Sequence, residues 1–525
     1  MSAISQTEQS RSALRTGRSL PLIPWLEGTG AGIVIMFRLL AVHLSPGHED
    51  LFHRVLPMTA VYRGLLIDLL AVCIASAVFI RWCARRDPQH RSVLWIALAG
   101  CVVDRAAAWM QQAEIFHGSV RPGVVTFGVV VAGVALWALR RGWYARAVRG
   151  FRAALLLGGC CGLWILPQLA WMSVHAQAAD RGEFSKPLSG TPSRRVIWIV
   201  FDELSRDQAF EHRFPGLALP AFDAFAANSV SFANVQPAGY YTELVIPSLL
   251  AGDTITAERT NLDGKLTVQT QANPRWHPYA GATLLSDAER AGLPPGVSGW
   301  FLQYCRLYAA ELDACYRTLT FPLPGGYSEV QSTWWNAVAP VRKPFLRLIG
   351  APVPTTTPAA LHAADFENVL HHAEAMIADQ RLGFLLLHLP VPHPTGFYNR
   401  RTGAMGYAGS YIDNLALADR TLALLIHDIA HTPRAAETTI VVSSDHSWRL
   451  PMWRNEQGWT AEDELASRGE AMDPRPVLLV HFPGEHGEAQ VTDPFPLIRM
   501  HEMLRELIDA RIAGPEGLRN WVDAK

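Results

Sequence analysis

The sequence predicts a two-part protein: an N-terminal bundle of five transmembrane helices, then an exported α/β domain whose mostly parallel sheet lies between helical layers. Three observations predict it. Apolar residues concentrate in the first third of the chain, arginines alternate between the loops there, and the remainder repeats short apolar runs followed by amphipathic ones. A length of 525 residues also exceeds what one hydrophobic core organises.

The chain is 49% hydrophobic and only 18% charged, against about a quarter charged in ordinary soluble domains. Five apolar stretches account for the excess: 21–44, 58–80, 93–110, 124–139 and 153–174. Most approach the roughly 20 residues that cross the hydrocarbon core as a helix, and the fourth is the shortest. Basic residues fix the expected orientation. Arg11, Arg15 and Arg18 precede the first stretch; Arg81, Arg85, Arg86 and Arg91 follow the second; Arg140, Arg141, Arg146, Arg149 and Arg152 follow the fourth. The first and third loops instead mix Arg54 with Glu49 and Asp50, and Arg121 with Glu114. Residues 1–20 are therefore expected in the cytoplasm, 21–174 in the inner (cytoplasmic) membrane, 175–192 as a linker, and 193–525 as an exported domain in the periplasm or outside the cell. The polar start, Met1 to Ser19, does not read as a cleaved signal peptide. Arg38, Arg63, Asp68, Asp104 and Arg105 within the stretches would face the bundle interior, a partner or interfacial water, either pairing to hold the bundle or forming a headgroup pocket.

Of seven cysteines only Cys305 and Cys315 fall in the exported part, and in an oxidising compartment they are a candidate disulfide closing a short loop. A net charge of -1, with no basic stripe carrying interleaved aromatics, argues against nucleic-acid binding.

The exported part opens on a strand, "RVIWIVF", followed by a helix near "LPAFDAFAANS" and a strand "VSFANVQ". Later come helices "AADFENVLHHAEAMIA" and "GSYIDNLALADRTLALLIHDIA" and strands "GFLLLHLP", "TTIVVSS" and "RPVLLVHFP". Continuous apolar strands imply burial on both faces, and so a sheet between helical layers. Ligands in such sheets sit at the carboxyl ends of the strands.

Chemistry-bearing residues follow three of these strands: Asp202 and Glu203 in "VIWIVFDELSRD", His388 and His393 in "LLLHLPVPHPTGFY", and Asp445 and His446 in "TIVVSSDHSW". Singly each has an ordinary structural explanation; together they supply oxygen and nitrogen donors that suit a divalent metal, Zn²⁺ or Mn²⁺. "GYYTELVIPSLLAG" adds Thr242 at the start of a helix ending near Gly252, where helix amides favour an anion. A cation beside that hydroxyl would lower its pKa and make it a nucleophile; otherwise it is a helix-capping threonine.

Taken in order, "VIWIVFDELSRD", "LPAFDAFAANSVSFANV", "TELVIPSLLAG", "HLPVPHPTGFY" and "SSDHS" resemble the alkaline phosphatase superfamily in its sulfatase-like branch. Five spans ahead of an exported domain are similar to the membrane-anchored phosphoethanolamine transferases and lipoteichoic acid synthases of that branch. The resemblance implies an alkaline phosphatase/sulfatase-like fold, with Thr242, five residues before Pro247, as nucleophile and metal ligand. It implies Asp202, Glu203 or both, with Asp445 and His446, as the other ligands. His393 would contact the substrate phosphate, supported by His388. Two departures stand out: the acid after the first strand is an Asp–Glu pair, and Ser447 replaces the usual Gly after "DH". No C/S-x-P-x-R motif starts at Thr242, which argues against formylglycine-dependent sulfatase chemistry.

The expected activity is metal-dependent transfer of a phosphorylated headgroup, phosphoethanolamine or phosphoglycerol, through a phosphothreonine. The donor would be a membrane phospholipid and the acceptor an envelope glycan or lipid. The alternatives are a phosphodiesterase or phosphatase using water, and a non-catalytic lipid-sensing module.

Overall fold

The computed structural model describes residues 22–44, 58–86, 92–93, 95–104, 122–175, 182–260, 266–318, 326–327, 331–350, 357–456, 458–469, 472–484, 487 and 489–524. They fall into two compact units. One comprises those within Met1–Ser45, Pro57–Gln177 and Pro322–Val353; the other those within Ala178–Phe321 and Pro354–Lys525. The expected cytoplasmic segment 1–20, Arg105, and most of the first and third loops lie outside the described residues.

In the first unit three helices are long and apolar enough to cross a membrane: α1 (Ile23–Leu44), α2 (Thr59–Ala84) and α4 (Arg141–His175). The third and fourth expected spans correspond to shorter apolar helices, Trp95–Asp104 and the Val125–Leu139 part of α3 (Pro122–Leu139). Among the described residues the count of five spans is not reached. Helix α4 starts well before residue 153, so Arg141, Arg146, Arg149 and Arg152, read as loop, lie on the helix. Small residues let α1 and α4 approach backbone to backbone: a Cβ on Gly30 would sit 1.9 Å from the Leu155 carbonyl oxygen, and one on Gly159 2.1 Å from that of Leu26. Polar groups pair across the bundle: buried Glu27 accepts from Arg152 at 2.6 Å, and Arg63 Nε donates to the Ser173 carbonyl at 2.9 Å. A sixteen-residue helix from the middle of the chain, Thr333–Leu348, belongs to this unit, although the sequence reading placed it with the exported domain.

The second unit is built on a nine-stranded sheet. Its strands in chain order are β1 (Glu183–Ser185), β2 (Arg195–Phe201), β3 (Val230–Phe232), β4 (Pro295–Trp300), β5 (Ala314–Thr318), β6 (Phe384–Leu389), β7 (Thr438–Ser444), β8 (Leu478–His481) and β9 (Ala489–Val491). In space they run β1-β5-β4-β6-β2-β7-β8-β3-β9. The five strands from β5 to β7 are mutually parallel, while β1, β8 and the β8–β3 pairing are antiparallel, so the sheet is mixed with a parallel centre. Part of the expected linker, Glu183–Ser185, is thus an edge strand.

Every residue of β2 is buried, and the pleat divides them. Val196, Trp198 and Val200 enter an apolar layer with α5 (Thr242–Ala251) and helix Met500–Ile508; Ile197, Ile199 and Phe201 enter another with α7 (Pro358–Ala378) and α8 (Tyr411–Ala430). Each such side chain stabilises the fold by about 1.5–3 kcal/mol, which is why both faces must be apolar. Register then aligns the strand ends, because Phe201 pairs with Leu389 of β6 on one side and Ser444 of β7 on the other. Whatever follows those three residues emerges at one level of the sheet.

Candidate functional site

Asp202 and Asp445 are the first residues beyond β2 and β7, and both are fully buried. Thr242 is the first residue of α5, which ends at Gly252 in the left-handed conformation, φ 75°. Its hydroxyl donates to Asp445 Oδ2 at 2.8 Å and lies 3.3 Å from His446 Nε2 and 3.5 Å from Asp202 Oδ2. Asp202, Asp445 and His446, from distant parts of the chain, therefore converge on the one oxygen of Thr242.

The surroundings orient each donor. His446 Nδ1 lies 3.1 Å from the Ser447 carbonyl, which selects the tautomer protonated there and leaves the Nε2 lone pair facing Thr242 and Asp445. Asp445 Oδ1 accepts from the His446 and Glu203 amides at 2.8 and 3.1 Å, so Oδ2 is the oxygen turned inward. His388, on β6, approaches Asp202 Oδ2 to 3.4 Å through Nε2, while its Nδ1 meets the Tyr304 hydroxyl at 2.8 Å.

Asp202 and Glu203 separate. Glu203 has φ 63°, and its carboxylate is taken up by Arg449 Nε at 2.6 Å and Trp453 Nε1 at 3.0 Å from both oxygens. Asp202 Oδ1, in contrast, is buried without a hydrogen-bond partner. Sequence reasoning left either acid as a ligand; the structure puts Asp202 at Thr242 and gives Glu203 a cation of its own. A grouping of Asp202, Glu203 and His446 also lies within ion-holding distance, as does one of Asp202, His388 and Asp445. The Arg449 pairing makes Glu203 the weaker donor, since withdrawing it would strand a buried guanidinium.

Burial and the neighbouring Asp445 raise the Asp202 carboxyl well above the usual range; burial also acts on Asp445, but His446, His388 and the Thr242 hydroxyl bring it down. Two carboxylates this close cannot both ionise without positive charge between them. The orphaned Asp202 oxygen, the lone pair on His446 and this paired charge fit a divalent cation held by Asp202, Asp445, His446 and Thr242.

His393 stands at the edge of this cluster. Its Nε2 is 3.4 Å from an Arg449 amino group, its Nδ1 has no hydrogen-bond partner, and its ring is edge-on to Trp300 and Trp453 at 5.0 and 5.1 Å. Burial and Arg449 hold its pKa well below the ordinary value, so the ring is neutral. Sequence reasoning missed Arg449, Trp453 and Tyr304. Arg449 carried a signal: it is a cation four residues after Asp445 in "DHSWR".

No family model and no curated protein matches the chain. Solved structures are similar to it. One is a protein in the alkaline phosphatase superfamily from Vibrio parahaemolyticus, at 11% identity over 62% of this chain and 69% of that one, TM-score 0.38. Another is a sulfatase from Pseudoalteromonas sp., at 13% over 60% and 68%, TM-score 0.40. A third is the lipoteichoic acid synthase LtaP from Listeria monocytogenes, at 10% over 61% and 73%, TM-score 0.37. Over about three fifths of its length the chain is similar to structures of sulfatases and of the alkaline phosphatase superfamily, a lipoteichoic acid synthase among them.

Proposed function

We propose that the α/β unit is a metal-dependent transferase of the sulfatase-like branch of the alkaline phosphatase superfamily. It would move phosphoethanolamine or phosphoglycerol from a membrane phospholipid to an envelope glycan or lipid. The observation that carries the reading is the Thr242 hydroxyl, at a helix N-terminus, within 3.5 Å of Asp202, Asp445 and His446.

Zn²⁺ or Mn²⁺ held by these residues would supply the positive charge that favours the deprotonated threonine oxygen and offsets charge on the phosphate. The chain's own groups do the rest. Thr242 Oγ1, held by Asp445 Oδ2 at 2.8 Å, loses its proton to solvent and attacks phosphorus in line, forming the Thr–O–P bond as the bond to the diacylglycerol oxygen breaks. The helix N-terminus favours the anionic phosphate. His393, neutral and with Nδ1 unpartnered, hydrogen-bonds a phosphate oxygen, and His388 stands beside Asp202, its Nε2 3.4 Å from Oδ2. The diacylglycerol oxygen leaves protonated from solvent; an acceptor hydroxyl oxygen then attacks phosphorus as the Thr242 O–P bond breaks, its proton passing through solvent to the released threonine oxygen. The apolar helices would anchor the chain in the inner membrane with the α/β unit on the periplasmic or outer side. The bonded pair Cys305–Cys315 supports an oxidising compartment.

Full-length protein incubated with headgroup-labelled phospholipid and an envelope glycolipid fraction tests this. Label on the glycolipid, with Thr242→Ala at least about a thousandfold slower but still folded, is the expected result. Free headgroup phosphate as the sole product would replace transfer by hydrolysis, and undiminished activity in Thr242→Ala would remove the mechanism.

A further inference from the structure

We propose that helix α6 (Thr333–Leu348) is an interfacial membrane-binding helix whose apolar stripe lies at the boundary between headgroups and acyl chains of a phospholipid bilayer. The stripe is Trp334, Val338, Val341, Phe345 and Leu348, spaced to fall on one helix face. These side chains are 73%, 41%, 62%, 57% and 84% exposed. A helix serving an aqueous domain turns such a stripe inward; here the inward residue is Asn336, fully buried against α2, where a Cβ on Gly64 would come within 2.7 Å of it.

What covers the stripe follows from where the helix sits in its own unit. Tyr327, just upstream, packs edge-on against His43 at the C-terminal end of α1, ring centroids 5.4 Å apart, and its hydroxyl donates to Asp68 of α2 at 2.6 Å. Asn336 meets Gly64, five residues into α2, or about 7.5 Å along its axis at 1.5 Å per residue. The segment therefore lies at the shared end of two apolar helices, the depth at which interfacial helices bury about 5–10 Å into a bilayer. By the arginine alternation this is the non-cytoplasmic end. Helix α2 likewise exposes apolar side chains, Leu70, Ile74 and Val78.

Charge agrees. The helix contains Arg342, Lys343 and Arg347 and no acid, which complements anionic headgroups. The Arg342 guanidinium lies 5.2 Å from the Trp335 ring centre, combining a cation with an amphipathic ring as interfacial anchors do. Arg342 against Trp335, beside the exposed stripe, is the combination an anionic lipid surface would meet.

This inference rests on α1 and α2 being membrane spans, so its test carries a control for that. Full-length protein lacking its free cysteines is spin-labelled singly at Val341→Cys, Leu348→Cys, Ile74→Cys or Tyr407→Cys. It is then reconstituted into phosphatidylethanolamine–phosphatidylglycerol vesicles. Accessibility to oxygen, which partitions into lipid, is compared with that to an aqueous nickel chelate. An oxygen-to-nickel ratio at residues 341 and 348 about threefold or more above that at Tyr407, an exposed position of the α/β unit, is expected. A ratio equal to that at Tyr407, with Ile74 oxygen-favoured, would overturn the inference while leaving the spans in place; a water-like ratio at Ile74 as well would overturn the spans. Exclusion of both reagents at 341 and 348 would mean that protein covers the face, and would also overturn it. Should the cysteine-depleted chain fail to fold, brominated phospholipid gives the same decision on the native cysteines: the fluorescence contributed by Trp334 and Trp335, taken as the difference between the native protein and Trp334→Phe/Trp335→Phe, is expected to be quenched. An unquenched difference would contradict the proposal.

Discussion

At the scale of single residues, the most informative pair is Asp202 and Glu203, adjacent in sequence yet opposed in environment. One has an unpartnered buried oxygen and the other is held by Arg449 and Trp453. Asp202→Asn is expected to abolish stoichiometric metal binding with the fold retained. Glu203→Gln should keep bound metal but lower stability, read by metal content and thermal melting of the purified protein. Loss of metal in Glu203→Gln alone would reverse the assignment. Arg449→Met leaves Glu203 buried without its cation, and a destabilisation of about 3–5 kcal/mol in denaturant unfolding is expected. The sequence made the acids visible but could not divide them, because the division depends on a positive φ at Glu203 and on Arg449 reaching it.

At the scale of elements, apolar runs identified the strands that carry chemistry. The runs "RVIWIVF", "FLLLHL" and "TTIVVSS" are β2, β6 and β7, and their shared register brings their C-terminal ends together. Strands β4, "PGVSGW", and β5, "ACYRT", were not legible, since neither has an apolar run or alternation and their strand character comes from pairing within the sheet. Antiparallel addition at the edges was equally hidden, because strand direction depends on connections rather than composition. The Cys305–Cys315 bond, read from parity and compartment, closes a loop of sequence separation 10 beside β5. Replacing both cysteines by serine is expected to cost about 2–3 kcal/mol in unfolding free energy. A change within experimental error would show that packing alone fixes that loop.

At the scale of the whole molecule, the described residues within Pro322–Val353 belong to the helical unit, although the chain on either side of them belongs to the α/β unit. Little in the residues themselves signals this detour. Its segment is flanked by the polar, proline-rich "PVPTTTPAA" and carries Pro340 and Pro344 within a helix. The long apolar helices of the first third, by contrast, were legible from composition, although only three of them reach spanning length among the described residues. What unites the catalytic reading is one cation shared by Thr242, Asp202, Asp445 and His446. Anomalous scattering from crystals of the full-length protein, recorded at the zinc and manganese absorption edges, addresses it directly. The expected result is a peak about 2.0–2.3 Å from the Thr242 hydroxyl, a carboxylate oxygen of each aspartate and His446 Nε2. Crystals of active protein with no peak among these four residues would contradict it.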